Sequence, residues 1–395
     1  MYLFDQVLSF ISGINPLAAI ILVLTNIKKI FIENINNNKF TFLVLFLTYS
    51  LLIYISIDDT STKKSLFSLF VFVAIFLIID KNNLYRILIK SNINHQILKV
   101  IFLFLLIDYF LMFNFKDYFT GAVRGAGLFN EKSHLALYSL PLIMYSILHF
   151  RSILPYILIV FIILFFNSLT LVIGLMMFYS ILFIKTLIHR PLKSLKYIAI
   201  ILTIIYSIIL EWDFFYARIE GILIFLENLN KAENLNSKEL ETYLSGLIWV
   251  NGWIMAYDNL IYSNYLGLGF NNMGINENAG LTLSKTSTYD PALLNAQDGS
   301  FLASKIISEL GIFGIIILFY LTLKSIKNIF TFIANQNKEL DTYIYISLKF
   351  TSSILLLSYL YVRGIGYFQL PFLLYIHLFL LDKSVIDYEN VIKKE

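Results

Sequence analysis

The chain has no cysteine, which excludes disulfides, thiolate catalysis and thiolate-ligated metals whatever the redox compartment. Charge is nearly as scarce: Asp, Glu, Lys and Arg make up 14% of the residues, against about 25% in an ordinary soluble domain. The 58% apolar share and the mean hydropathy of +0.75 complete that picture, and the expected solvent of this protein is a bilayer. Apolar runs near the ~20 residues a helix needs to cross recur along the chain. No Lys or Arg precedes the first of them, at 7–25, and Asp5 stands there instead. The basic flank of a cleavable signal peptide is missing, so that run is expected to remain as a helix. No fixed-period repeat and no low-complexity linker divide the chain, and residues 1–395 are taken as one polytopic domain. His95, His149, His189 and His377 lack metal-ligand spacing and read as structural or interfacial.

Apolar runs between polar breaks predict an all-α integral membrane protein with about eleven crossings (10–12). They fall at 7–25, 40–57, 65–80, 97–114, 133–150, 153–168, 170–188, 195–210, 300–323, 346–362 and 364–381. The division at Asn167, Ser168 and Thr170 is the narrowest, because two apolar runs meet there with almost no polar break. Of the 30 Lys and Arg, 19 fall at alternate connections, for example Lys28, Arg86, Arg151, Arg190, Lys327 and Lys383. The positive-inside rule makes that side cytoplasmic, with the N-terminus and the 211–299 segment outside. This long segment carries helix signals of its own: Asn236 followed by Glu239 resembles a helix-starting cap, and Leu240, Leu244, Leu247 and Ile248 repeat at helical spacing. All three tryptophans, Trp212, Trp249 and Trp253, lie in it. Tryptophan favours the headgroup level, so this helix is expected to lie on or dip into the outer interface.

Polar chemistry concentrates on that outer side. The stretch Arg124 to His134 combines two cations, a carboxylate and an imidazole, with glycines at 125 and 127, and places Glu131, Ser133 and His134 at the start of a helix. A helix N-terminus beside an arginine suits an anion such as a diphosphate; the alternative is a polar interfacial loop with snorkelling basic residues. Arg218, near Glu220, lies just past the eighth run, where an arginine is also ordinary. Gly267, Gly269 and Gly274 suggest a shaped turn, since no strand precedes them and the dinucleotide-binding reading fails. Asp298 at the mouth of the ninth run could act as a general base or simply cap the helix. Arg363 stands in the bend between the last two runs, where a charge is costly unless paired or wet. The runs themselves hold little charge, with Asp108 the main exception.

These stretches resemble the O-antigen polymerase (Wzy-type) family. The segment 124–138, RGAGLFNEKSHLALY, is similar to the family's R-x-x-G-L-F-x-E-x-S-H stretch. The segment 244–274 resembles its external loop, with a Gly-Trp core and a G-L-G-F turn; 295–314 resembles its late D-G-S-F and E-x-G-x-x-G helix; and 363–368 resembles its closing R-G-x-G-Y-F. The resemblance implies an all-helical, type C glycosyltransferase-like architecture. It implies a multi-pass enzyme of the bacterial inner (cytoplasmic) membrane, its site facing the periplasm, which moves a growing glycan from undecaprenyl diphosphate to the sugar end of another lipid-linked repeat unit. No metal, cofactor or nucleic acid is implied. Partners would be undecaprenyl-diphosphate-linked oligosaccharides, membrane lipid, and a chain-length regulator and flippase of the same pathway.

On this reading Arg124, Arg218 and Arg363 are the expected diphosphate ligands, because the planar guanidinium donates two hydrogen bonds at once. Glu131, His134 and Asp298 are the expected groups for activating or orienting the acceptor hydroxyl. The related ligases carry a histidine where this chain has Ser300, which argues against transfer to lipid A or to protein. A flippase of lipid-linked sugar is the alternative from another class. Transporters tend to carry charged or broken helices at mid-membrane, which the sparse charge of these runs disfavours.

Overall fold

The computed structural model describes residues 65, 68–73, 96, 98–103, 106–107, 132–149, 154–166, 168–210, 212–227, 237–276, 278–280, 299–335, 340–364, 366–367 and 369–381. Every regular element among them is helical: α1 Lys132–His149, α2 Leu154–Phe166, α3 Leu169–His189, α4 Pro191–Leu210, α5 Trp212–Glu227, α6 Ser237–Tyr262, α7 Leu302–Ala334, α8 Leu340–Tyr361 and α9 Leu370–Phe379, with a 3-10 turn at Met273–Ile275. Four stretches are long and apolar enough to cross a membrane: α3, α4, α7 and the Thr342–Tyr361 part of α8. They correspond to the runs expected at 170–188, 195–210, 300–323 and 346–362. The runs at 7–25 and 40–57, and Asp108, lie outside the described residues.

Two expected crossings come out short. The 13 residues of α2 rise about 20 Å and the 10 residues of α9 about 15 Å, less than a ~30 Å hydrocarbon layer. The narrow division expected at Asn167 to Thr170 is a true helix break, for Ser168 is extended (φ −91°, ψ 107°) and serves as the N-cap of α3. At α9 the chain spends residues on the Arg363 bend before Gln369 starts the helix, with Pro371 in its first turn.

Apolar side chains surround these helices because lipid and neighbouring helices are both acceptable partners for them. Their hydroxyls bond back into the same helix, as Thr186 does to the Leu182 carbonyl (2.7 Å) and Ser207 to that of Thr203 (2.9 Å). Between helices, aromatic rings and a few polar pairs fix the register. Phe350 of α8 stacks on Phe332 of α7 at 3.9 Å between centroids and on Phe178 of α3 at 5.8 Å. Asn328 donates to Ser353 (3.0 Å), and the hydroxyls of Thr322 and Tyr361 meet at 2.7 Å. As α7 advances from 322 to 328, its partners in α8 retreat from 361 to 353, so the two helices are antiparallel.

Further contacts orient the rest of the bundle. His149 at the end of α1 bonds Ser347 (2.7 Å), and His189 at the end of α3 bonds the Ile333 carbonyl (2.8 Å). Tyr345 and Lys349 both donate to the carbonyl of Leu381, just past α9. Toward the other end, the Tyr375 hydroxyl of α9 donates to the Leu137 carbonyl in α1. The chain ends of α1, α3, α7 and α9 therefore share one end of the bundle with the start of α8. Their own starts share the other with the Arg363 bend. His149, Lys185, His189, Arg190, Lys193, Lys324, Lys327 and Lys349 all lie toward the first end, as the alternation of basic residues along the chain predicts.

Candidate functional site

The start of α7 is where distant parts of the chain meet. α7 does not run straight: Gly311 adopts φ 56°, ψ −133° and breaks it. A break frees backbone groups that a membrane interior will not hydrate. The loop after α6 supplies their partners. Leu268 N–H donates to Ser308 O (2.9 Å), Gly269 N–H to Glu309 O (2.9 Å), and Ile312 N–H to Tyr265 O (2.9 Å). This docking brings backbone against backbone. A Cβ on Gly311 would lie 2.6 Å from the Leu266 carbonyl carbon, and one on Gly267 (φ 87°) would lie 2.6 Å from the Gly311 nitrogen. Only glycine fits at either place. The shaped turn expected at Gly267 to Gly274 is thus a plug for a broken helix.

Under that turn lies a charge pair that the sparse charge of the runs did not lead us to expect. Lys305 is 2% exposed and Glu309 fully buried, and Lys305 Nζ sits 3.7 Å from Glu309 Oε1. Lys305 also donates to Asn271 Oδ1 (3.2 Å) and has the Tyr367 ring 5.6 Å away. Met273 N–H donates to Glu309 Oε1 (3.3 Å), and the Asn271 backbone and the Tyr367 hydroxyl also face this carboxylate. The expectation that Asp108 is the main charge inside the runs is corrected here. The i,i+4 spacing of opposite charges on one helix was the available signal. Its weight is lost in a segment read only for hydropathy.

The third segment at this place is the bend after α8. Arg363 is partly buried, with its N–H bonded to Ser358 O (3.0 Å), and Gly364 N–H donates to Ser300 O (3.2 Å). Gly364 presses so close to the first turn of α7 that a Cβ there would lie 2.8 Å from the Leu302 nitrogen. Tyr367 stacks on Phe270 at 4.4 Å, and Phe72, within the run expected at 65–80, packs on both rings. Tyr359 closes the bend by donating to the Gly366 carbonyl (2.9 Å).

The tryptophans are placed differently from the expectation. α6 packs along α5 and α7. Trp249 and Trp253 are partly buried on Phe301, at 5.6 and 4.8 Å between centroids, and Trp249 Nε1 donates to the Tyr361 carbonyl (2.9 Å). These two rings tie α6 to the start of α7 and the end of α8. Trp212, half exposed and stacked on Tyr216, keeps the character of an interfacial ring.

Of the six residues expected at the site, Arg124, Glu131 and Asp298 lie outside the described residues. His134 stands in the first turn of α1 and Arg218 midway along α5, both known by backbone position alone. Arg363 is at the meeting point itself, and the start of α1 is at the same end of the bundle. The alternative role for Asp298 as helix cap finds its position taken: the N-cap of α7 is Phe301, which makes no side-chain cap bond. Among the described residues no three or more His, Asp or Glu side chains converge as metal ligands. No family model, curated protein or solved structure matches the chain. The resemblance to O-antigen polymerases therefore stands on the residues quoted for it.

Proposed function

We propose that this protein is a polysaccharide polymerase of the inner membrane, which transfers a growing glycan from undecaprenyl diphosphate to the sugar end of another lipid-linked repeat unit. The observation that carries the reading is the meeting of parts of three of the four family-like stretches, 244–274, 295–314 and 363–368, around the broken start of α7. Lys185, Arg190, Lys193, Lys324, Lys327 and Lys349 lie toward the opposite end.

The reaction requires little covalent chemistry from the protein. The acceptor hydroxyl oxygen forms a bond to the anomeric carbon of the donor glycan. The bond from that carbon to the diphosphate oxygen breaks, and undecaprenyl diphosphate leaves with the electron pair. The hydroxyl proton passes to a carboxylate or imidazole. Arg124, Arg218 and Arg363 would neutralise the diphosphate, and Asp298, Glu131 or His134 would accept the proton. Purified protein in liposomes, given lipid-linked repeat units alone, is expected to lengthen them; failure with well-folded protein removes the polymerase reading. Arg124→Ala and Arg218→Ala are each expected to abolish or severely reduce polymer while the protein still inserts and accumulates. Asp298→Asn tests the base, since asparagine retains size but loses the proton acceptor.

One observation favours a second reading. A broken helix holding a buried charge pair is a feature of transporters, so export of lipid-linked sugar without bond formation stays in view. Two features weigh against it: the break is sealed by backbone hydrogen bonds, and the pair lies near the start of α7. The glycan profile of cells lacking the protein separates the two. Single repeat units on the surface indicate a lost polymerase, and their absence from the surface indicates a lost flippase. Ser300 at the position of the ligase histidine continues to disfavour the ligase alternative.

A further inference from the structure

We infer that Lys305 and Glu309 are positioning residues, which hold the plug loop and the Arg363 bend in register with each other against the first part of α7 and so fix where Arg363 stands. Burial turns both side chains toward the protein. Lys305 is 2% exposed and Glu309 0%, and the groups around them belong to the protein itself: Asn271, Met273 and Tyr367. These neighbours lie on the two segments that need holding. Asn271 and Met273 belong to the plug loop and Tyr367 to the bend, while the pair is on the first part of α7. One ion pair therefore reaches all three parts of the meeting place.

Stability alone is a poor reason for such a pair. Two charges withdrawn from water lose about as much hydration as they regain from each other, and apolar replacements of similar volume are often equally stable. What a buried pair with partners in the protein does provide is a restraint on its neighbours, because moving Asn271, Met273 or Tyr367 away removes a contact that water cannot replace there. Here the neighbours include a turn with three residues at positive φ, Gly267, Gly269 and Asn271 (60°), which has several alternative conformations to be excluded. The break at Gly311 adds to the need, since α7 before it is not held by a continuous helix.

The activity arm of the test rests on the polymerase reading, and the distance arm does not. The native chain lacks cysteine, so spin labels at Leu266→Cys in the plug loop and Val362→Cys beside the bend report their separation without background. The full-length protein in liposomes is expected to show one narrow distance distribution. The double variant Lys305→Met with Glu309→Gln removes both charges together and keeps an acceptor for the Met273 N–H. It is expected to accumulate normally, to broaden that distribution, and to lower kcat by about 10- to 100-fold with KM for the lipid-linked unit nearly unchanged, since ångström-scale misplacement costs about that much. Lys305→Arg keeps the cation and is expected to retain the narrow distribution and most of the rate. A narrow distribution with wild-type kcat in the double variant overturns the proposal. If the double variant fails to accumulate, Asn271→Gly serves in its place, because glycine accepts the φ of 60° and the change removes the bond from Lys305 at a partly exposed residue. Broadening then supports the positioning role, and an unchanged distribution overturns it. A wild-type protein that lengthens no glycan, but whose distribution broadens on loss of the pair, would sink the polymerase reading and leave the positioning role standing.

Discussion

Arg363 is the one expected phosphate ligand whose surroundings are described. Its backbone is fixed by Ser358, and its neighbour Gly364 is fixed by Ser300, so the guanidinium starts from a rigid base at the end of the bundle. Fixing the base limits the backbone entropy lost on binding an anion. Arg363→Ala is expected to lower the polymerisation rate in liposomes by about 30- to 1000-fold, the effect of losing roughly 2–4 kcal/mol of charge-assisted hydrogen bonding in the transition state. Lysine should restore little, because it offers a point charge without the planar fork. A wild-type rate for the alanine variant removes Arg363 from the site. The sequence identified this arginine because a charge between two apolar runs is conspicuous. It did not lead us to Lys305 and Glu309, although both are charged and lie inside a run, because the average over the surrounding apolar residues hides a pair that neutralises itself.

Among the elements, α7 shows how local sequence and tertiary contact divide the work. Its hydropathy makes a helix of it, and its 33 residues would reach about 50 Å if straight, well beyond a bilayer's hydrocarbon layer. The break at Gly311 depends on the plug loop, which supplies the hydrogen bonds that the break leaves open. Gly311→Ala should therefore do more than stiffen a helix. A side chain at this backbone conformation costs about 1–3 kcal/mol, and its Cβ collides with the carbonyl group of Leu266. The expected result is a detached plug loop, read as faster proteolysis within 263–280 and a lower melting temperature in detergent; unchanged cleavage would mean that the break tolerates a side chain. The short α2 and α9 teach a related lesson. Hydropathy placed the break at Ser168, but it carried the last run back to 364, where the bend before Gln369 delays the helix.

At the scale of the whole molecule, Lys185, Arg190, Lys193, Lys324, Lys327 and Lys349 lie toward one end and the meeting place of the family-like stretches, with Lys305 and Arg363, at the other. Under the positive-inside rule, the proposal that the Arg363 end is external is open to test. Single cysteines at Ser237 and Ser284 are expected to react with a membrane-impermeant reagent in intact spheroplasts, and one at Lys338 only after lysis. The reverse pattern would put the proposed site in the wrong compartment. The sequence by itself determined that this is a helical protein of the membrane, because scarce charge and long apolar runs leave no other solvent. It also located the chemistry-bearing stretches, because polar residues in such a chain are too few to be overlooked. Only the tertiary structure decided that three of these stretches share one place, that Trp249 and Trp253 bind helices together, and that a buried Lys–Glu pair underlies the plug loop. Hydropathy is a property of each segment alone, whereas these arrangements depend on which backbone groups and charges find partners across the fold.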